Sequence, residues 1–319
     1  MEETDTAGLP TTETLTFPSW VVCPECHRVA ANGHDVFVRY FQGYAPVCGC
    51  GQEFDWWSTL LTQVTEHFML RGAFEAIGAS TSVFEIEVKA DTNVELDFRK
   101  FGVPDGARIL WLNYTGHGEG PSPIEFHTNT PHVRPYELKR FIYGAGWGRL
   151  PAVGRVGVAV TWIKTEEDEA AVSHLVSAAV SYSDADYRSM VLAANIAAET
   201  SITRAVAAAV GRYANKDTTR AFLADAATYS HQLKVLLPMI ADLFSAPQLP
   251  KHIRQRLDAL RRLRNEIAHE GKEKRGPITQ ADAGNGLTAA IFGEHYGRLL
   301  HSVVCAREGA APRSGPSAG

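Results

Sequence analysis

The sequence has no long apolar run. Its Ala-rich region, residues 169–210, is interrupted by charged side chains that include Asp184, Arg188 and Glu199. A helix that spans a bilayer needs about 20 consecutive apolar residues, so this absence excludes a helical membrane protein. The first residues are acidic and polar and lack the basic start and apolar core of a secretory signal. We therefore expect a cytoplasmic protein with no membrane partner.

Positive charge is also scarce, because 31 Lys and Arg stand against 36 Asp and Glu for a net charge of −5. Proteins that coat nucleic acid along their whole length are basic, so the balance excludes that class while leaving room for one local basic site. The composition, 45% hydrophobic and 21% charged over 319 residues, is that of an ordinary globular protein with two or three domains.

Cysteine is sparse, with five residues in the chain, but four of them lie close together in sequence. Cys23 and Cys26 form a CxxC pair, and Cys48 and Cys50 form a CxC pair after a 21-residue spacer. Clustered cysteines in a cytoplasmic protein favour a metal site over disulfides. Two close cysteine pairs can surround one tetrahedral Zn²⁺, and the segment resembles a zinc ribbon in which a CxC pair replaces the second CxxC.

We predict that this zinc site is structural, because four thiolates leave no coordination position open for water or substrate. The metal would then fold a segment that is too small to fold alone. One of two nearby histidines, His27 or His34, remains an alternative to one of the cysteines as a ligand.

The rest of the chain changes from β-type to helical patterning near Lys164. Alternation of apolar and polar residues in "SVFEIEVKA" predicts a half-buried strand. Four further segments have similar character, namely "VELDFRKF", "ARILWLNYTG", "PIEFHTN" and "RVGVAVTWI". The following Ala- and Leu-rich region has helical spacing and few turn signals, and its segment 218–244 reads as one helix bent or split at Pro238.

These patterns predict a multidomain α+β protein. The predicted segments are a flexible acidic N-terminus (1–18), a zinc-ribbon-like knuckle (19–56), a central antiparallel β-sandwich (57–163), an all-α helical bundle (164–305) and a disordered tail (306–319).

One segment of the helical region is strongly basic. From Lys251 to Arg275 the chain has nine Lys or Arg and four Asp or Glu, a local net charge of +5. Apolar residues at three- and four-residue steps form one stripe along this predicted helix, which ends near Gly271. They are Ile253, Leu257, Leu260, Leu263 and Ile267. The contrast with the acidic remainder predicts a local anion-binding site.

The end of this helix, "RNEIAH" from Arg264 to His269, matches the RxxxxH motif of the HEPN superfamily. Residues 164–305 therefore resemble a HEPN domain, and a β-rich region before such a domain is similar to the ApeA-like phage-defence proteins. The resemblance implies an RNA-cleaving site formed by two motifs that face each other across a homodimer. It also implies that Glu199, on an earlier helix, orients Arg264, with an ordinary solvated helix residue as the alternative reading of Glu199.

The residue types suit metal-independent RNA cleavage, in which the RNA supplies its own 2′-hydroxyl as nucleophile. His269 can transfer protons near neutral pH, and Arg264 can hold two phosphate oxygens and stabilise the transition state. Asn265 can orient His269 or bind the phosphate. The surrounding cations are predicted to bind RNA, with tRNA among the candidate substrates. They are Arg254, Arg261, Arg262, Lys272 and Lys274.

Three alternatives remain open at this point. A basic helix end that terminates in His also results from simple complementarity to the helix dipole. The same patch could hold RNA or a nucleotide without cleaving it, in a regulatory protein. Finally, the chain could be a zinc-ribbon protein-interaction module whose helical bundle only dimerises. Under the nuclease hypothesis, the N-terminal region would sense a trigger or a regulatory protein partner, or select the RNA.

Overall fold

A computed structural model describes residues 13–17, 20–66, 70–117, 121–125, 138–146, 152–164, 170–270 and 276–306. The chain is a mixed α and β protein with a helical C-terminal region. It divides into two compact units. Unit 1 comprises Met1–Gly33 with Glu66–Asp168, and unit 2 comprises His34–Thr65 with Glu169–Gly319.

Nine strands and ten α-helices are assigned within the described residues. The strands are β1 (Leu15–Phe17), β2 (Trp20–Val22), β3 (Val29–Asn32), β4 (Ser80–Lys89), β5 (Asn93–Asp97), β6 (Arg108–His117), β7 (Ser122–Glu125), β8 (Lys139–Ala145) and β9 (Val153–Ile163). The helices are α1 (Gly33–Phe41), α2 (Trp56–Thr65), α3 (Leu70–Ala76), α4 (Ala170–Ser183), α5 (Tyr187–Gly211), α6 (Lys216–Ala221), α7 (Tyr229–His231), α8 (Leu237–Phe244), α9 (Lys251–Glu270) and α10 (Gln280–Ala306).

The described residues of unit 1 form three antiparallel sheets, with strand orders β1-β4-β9-β6, β5-β8-β7 and β2-β3. The period-2 pattern that predicted β4 buries Phe84 and Ile86, which pair in register with Val158 and Val156 of β9. These residues share one hydrophobic cluster with Leu96 of β5. The antiparallel strands are thus present, while their arrangement as a sandwich stays a prediction.

The segment "VELDFRKF" was predicted as a single strand, and this is wrong for its second half. β5 ends at Asp97, whose carboxylate accepts a hydrogen bond from the backbone N–H of Arg99 at 3.2 Å. This cap starts a 3₁₀ helix over Phe98–Phe101, which Gly102 ends with a φ of 78°. A local side-chain cap therefore competes successfully with the strand pattern.

Helices occupy two places where the sequence patterns did not predict them. α1 lies inside the predicted knuckle, and α2 and α3 lie at the start of the segment predicted to be β-rich. Residues 34–65 belong to the helical unit 2, where the Phe37 ring stacks on His295 of α10 with ring centroids 3.7 Å apart. The predicted segment limits stay predictions. The two compact units divide the chain at other positions, because residues 34–65 belong to unit 2.

The region 218–244 is also more broken than the single helix predicted for it. α6 passes into a π-helical turn over Phe222–Ala226, and a second π-helical turn over Gln232–Leu236 follows α7. The interruption thus precedes Pro238. It occurs at Ala227 and Thr228, where the Thr228 hydroxyl caps the N–H of His231 and the Gln232 amide donates to the Ala227 carbonyl at 2.9 Å.

The longest helices of unit 2, α5 and α10, pack closely because small residues face each other. The Ser201 hydroxyl on α5 donates a 2.9 Å hydrogen bond to the Glu294 carbonyl on α10. A Cβ atom added at Gly297 would lie 2.4 Å from the Ser201 Oγ and 2.7 Å from the Ser201 carbonyl carbon. Only glycine fits there. In the part of the chain that the structure describes, no helix has the length and apolar character that a membrane crossing requires.

We expect Gly297→Ala to destabilise the protein by about 2 kcal/mol or more, because the added methyl group overlaps backbone atoms that cannot move independently. Chemical denaturation of the purified variant measures this. Gly211→Ala is the matched control, since it lies at the end of α5 and its added Cβ would meet nothing within 4 Å. Helix propensity should make that variant neutral or slightly stabilised. Equal stabilities of the two variants would contradict the packing account.

Candidate functional site

A cavity of about 550 Å³ lies in unit 2 between α5, α9 and the segment that contains the two π-helical turns. Its size falls within the range of roughly 300–1,000 Å³ that is usual for small-molecule sites. The side chains that give it a polar character come from all three elements. They are Asn195, Glu199, Thr203, Tyr229, Gln232, Arg261, Arg264 and Asn265.

α5 contributes an ordered pair of polar side chains to this cavity. Asn195 and Glu199 are four residues apart and therefore share one face of the helix. The Asn195 Nδ2 donates to the Glu199 Oε2 at 3.0 Å. Because an ionised carboxylate only accepts hydrogen bonds, this contact fixes the amide with its N–H₂ toward Glu199 and leaves its Oδ1 on the other side.

α9 contributes the predicted RxxxxH residues. Arg264 and Asn265 both line the cavity, and the Arg264 Nη1 donates to the Asn265 Oδ1 at 3.1 Å. Glu199 lines the same cavity, yet among the described side chains no ion pair joins it to Arg264. That Glu199 orients Arg264 stays a prediction.

The remaining residues of the predicted site fall in three places. α9 extends through the position of His269, whose side chain lies outside the described part of the structure. Lys272 and Lys274 also lie outside the described residues. Arg254 is partly exposed on α9. It lies ten residues before Arg264, about 15 Å along the helix axis at 1.5 Å per residue, so it is not part of this cavity.

Asp258 is a central charged residue that the sequence analysis missed. It is buried, and its carboxylate accepts hydrogen bonds from Arg261 at 3.1 Å and Arg262 at 2.5 Å, while the Lys234 ammonium lies 3.4 Å away. Two predicted RNA-binding cations are therefore ion-paired within the protein. The spacing of three and four residues on one helix was a signal that could have revealed these pairs.

The pKa of Asp258 reflects this environment. Burial of the carboxyl acts to raise its pKa, but the hydrogen bonds from Arg262 and Arg261, with the charges of both arginines, outweigh burial. The pKa of Asp258 is held below its usual value of 3.8. Asp258 is thus ionised at neutral pH and offsets part of the positive charge of α9.

Two buried polar atoms at the cavity have no hydrogen-bond partner among the described residues. They are the Asn195 Oδ1 and the Tyr229 hydroxyl, on side chains that are 1% and 6% exposed. Burial, and secondarily the Glu199 charge, raises the pKa of the Tyr229 phenol, so the hydroxyl keeps its proton. Buried polar groups without partners are uncommon in folded proteins, and here both belong to the lining of one cavity.

The predicted cysteine cluster is present near the N-terminus. The sulfur atoms of Cys23, Cys26, Cys48 and Cys50 all lie within 4.8 Å of one another. In a tetrahedral site with sulfur about 2.3 Å from the metal, the sulfurs are about 3.8 Å apart, so this donor set fits one ion such as Zn²⁺. Tight turns next to the cysteines position their sulfur atoms. His27 has a φ of 57°, and Gly51 has a φ of 89° and donates its N–H to the Cys48 carbonyl.

Comparison of the chain with protein-family models, with curated proteins and with solved structures finds no match in any of the three. Function is therefore argued from the sites themselves. The cavity combines guanidinium donors, which suit a phosphate, with unpaired acceptors, which suit a group rich in N–H or O–H donors.

We expect Asp258→Asn to lower the free energy of unfolding at pH 7 by about 1 to 2 kcal/mol, because Arg261 and Arg262 lose an ionised acceptor. The folded-state pKa of Asp258 is depressed, so this stabilisation is present above pH 3.8 and is lost as the pH falls further. Denaturation curves of wild type and variant at pH 7 and pH 3 should therefore converge at the lower pH.

Asp217→Asn is the matched control, since the Asp217 side chain is 95% exposed and lies 3.9 Å from an exposed Arg220. It should leave stability almost unchanged at both pH values. If Asp258→Asn cost the same at pH 3 as at pH 7, the loss would reflect packing and not charge.

Proposed function

We propose that the protein is a metal-independent endoribonuclease of HEPN type, whose site is built around Arg264, Asn265 and His269. The observation that carries the proposal is that Arg264 and Asn265 of the RxxxxH motif line a sizeable cavity together with Glu199 of α5. The same cavity is lined by Asn195 and Tyr229, each of which has a buried polar atom without a partner among the described residues.

The proposed reaction needs one proton acceptor and one anion stabiliser. His269 takes the proton from the 2′-hydroxyl of the RNA, and the 2′-oxygen attacks the adjacent phosphorus. Arg264 donates hydrogen bonds to the phosphate oxygens as charge develops on them. The bond from phosphorus to the 5′-oxygen breaks, the leaving oxygen takes a proton from solvent water, and His269 releases the proton that it holds to solvent. The products carry a 2′,3′-cyclic phosphate and a 5′-hydroxyl, so the atoms balance without a metal.

The setting of this activity follows from the HEPN resemblance. Two copies of the motif would face each other in a homodimer, and the N-terminal region would sense a trigger or a regulatory partner or select the RNA. Such an enzyme must be restrained in its host, which suits a phage-defence or toxin role. A reducing compartment such as the cytoplasm would keep the four cysteines available as thiolates.

A second candidate is a non-catalytic RNA- or nucleotide-binding regulator. The pairing of Arg261 and Arg262 with Asp258 favours it, because these cations are less available for phosphates along an extended RNA. A half-enclosed cavity lined by unpaired acceptors also suits a small ligand.

For the cysteine cluster we propose one structural Zn²⁺ per chain, bound by Cys23, Cys26, Cys48 and Cys50. The closeness of the four sulfurs, which all lie within 4.8 Å of one another, supports this proposal. The metal would stabilise the turns around residues 23–27 and 48–51 and take no part in catalysis.

Cleavage of total tRNA and of a mixed RNA tests the proposed reaction, with EDTA added when the reaction starts. Wild type should cleave, and its products should carry 2′,3′-cyclic phosphate ends. Arg264→Ala/His269→Ala should lose at least about 100-fold in rate, since both proton transfer and charge stabilisation are removed. Arg220→Ala/His174→Ala removes the same residue types elsewhere in unit 2 and should cleave like wild type.

Binding measurements separate the other outcomes. RNA affinity that falls with added salt, without cleavage, would favour the regulatory protein. Cleavage by the Arg264→Ala/His269→Ala variant at the wild-type rate would contradict the site assignment. The absence of RNA affinity at low salt would favour a protein-interaction module.

Metal analysis of purified protein tests the zinc proposal. We expect about one zinc per chain in wild type, and a large loss in Cys48→Ser, because three thiolates bind zinc more weakly than four. Cys305→Ser is the matched control, since the Cys305 sulfur lies 3.7 Å from the His301 Nε2 and is outside the cluster. It should keep its zinc. A wild-type protein purified without any metal would contradict the proposal.

A further inference from the structure

We propose that the cavity between α5 and α9 is a base-specific pocket for guanine, presented by an RNA strand or by a free guanine nucleotide. The inference rests on the proposed function for the RNA source of the ligand. The contacts inside the pocket define which chemical groups a ligand must present, and they do not depend on the nuclease proposal.

The α5 side of the cavity presents hydrogen-bond acceptors. The contact from the Asn195 Nδ2 to the Glu199 Oε2 uses the amide donor and leaves the Asn195 Oδ1 without a partner among the described residues. Asn195 is 1% exposed, so water does not readily compensate for this acceptor. The Glu199 carboxylate, which lines the same cavity, has further lone pairs that can accept.

Other polar groups of the lining are already used. The Gln232 amide donates to the Ala227 carbonyl and accepts from the Thr203 hydroxyl, so it contributes little to recognition. The Tyr229 hydroxyl, on a side chain that is 6% exposed, has no partner among the described residues, and Tyr229 belongs to the same lining. Since Tyr229 stays protonated, it can donate to a ring nitrogen or a carbonyl oxygen.

The two oxygens of the Glu199 carboxylate suit a ligand with two adjacent N–H donors. The Watson–Crick edge of guanine presents N1–H beside the 2-amino group, so a carboxylate can accept from both at once. Adenine and cytosine present an amino group beside an unprotonated ring nitrogen, which a carboxylate repels. Uracil has one N–H between two carbonyl oxygens. Single-stranded RNA bases are commonly read on this edge, so guanine is the base that the acceptors favour.

The α9 side of the same cavity supplies donors for an anion. Arg264 lines it, with one of its N–H groups directed to Asn265, and the guanidinium has five N–H donors in total. Arg261 lines it too, although Asp258 accepts from its Nε and Nη2. Acceptors on α5 and guanidinium donors on α9 match a nucleotide, whose base is rich in N–H donors and whose phosphate is an anion. A volume of about 550 Å³ accommodates both parts.

Calorimetric titration of the full-length chain with nucleoside monophosphates tests the pocket. We expect GMP to bind at least about tenfold more tightly than AMP, CMP or UMP, and IMP to bind about tenfold more weakly than GMP, since it lacks only the 2-amino group. Equal affinities for the five nucleotides, or no binding of any of them, would overturn the proposal. This comparison uses the wild-type chain and does not depend on whether a variant folds.

Variants then assign the contact. Glu199→Gln should bind GMP about as weakly as IMP binds wild type, because an amide cannot accept from both guanine N–H groups. Glu266→Gln is the matched control, since Glu266 lies on α9 but lines a different cavity, and it should bind GMP like wild type. An unchanged preference for GMP in a folded Glu199→Gln variant would overturn the role of the carboxylate.

Cleavage mapping distinguishes the two sources of guanine. With an RNA oligonucleotide that has a single guanosine among adenosines and uridines, cuts confined to positions beside the guanosine support recognition of the RNA strand. Preference for GMP together with cleavage that ignores guanosine supports a free guanine nucleotide as the ligand. Preference for GMP without any RNA cleavage or RNA affinity would keep the guanine pocket and overturn the proposed nuclease.

Discussion

The close packing of α10 against its neighbours is the constraint on which the site of unit 2 depends. Added Cβ atoms at Gly286 and Gly293 would each lie 3.1 Å from a methyl carbon of Leu260 or Leu257, and at Gly297 the added atom would overlap Ser201. The three glycines therefore let both α5 and α9 approach the same helix. With the apolar stripe of α9 held in this way, its Arg264 and Asn265 lie at a cavity that α5 also lines. The cavity is thus a consequence of the core and of small residues far from the motif in sequence.

Electrostatics then restrict what the site can bind. Asp258 accepts from Arg261 and Arg262 and has Lys234 nearby, so one buried carboxylate engages two of the cations that make the segment basic. A surface of unpaired lysines and arginines would attract any polyanion, with an affinity that falls steeply with salt. The arrangement around Asp258 favours a more selective site, in which a few oriented guanidinium groups act together with directional acceptors.

Much of this architecture follows from patterns that are visible in the amino-acid sequence. Alternation in β4 and β9 and the small, apolar periodicity of the helical region are strong local signals, and the RxxxxH residues lie on a helix as predicted. Local side-chain caps and tertiary contacts decide the rest. The end of β5 depends on a cap by Asp97, and the break at Thr228 depends on a hydroxyl cap and on Gln232. The membership of residues 34–65 in unit 2 depends on rings that meet only in the fold, such as Phe37 and His295.

The same distinction explains why the motif alone was an incomplete guide to the site. Arg264 and Asn265 are visible in sequence because they belong to a short recognisable pattern, whereas Asn195 and Tyr229 are separated from it by dozens of residues and resemble ordinary helix residues. Their importance arises from burial without partners, which only a three-dimensional arrangement can produce. Unsatisfied polar atoms cost free energy in the folded chain, so under the proposed guanine binding a ligand that reached them would gain affinity. Under the proposed function, α9 would supply the chemistry, and α5 with the segment around Tyr229 would supply the specificity.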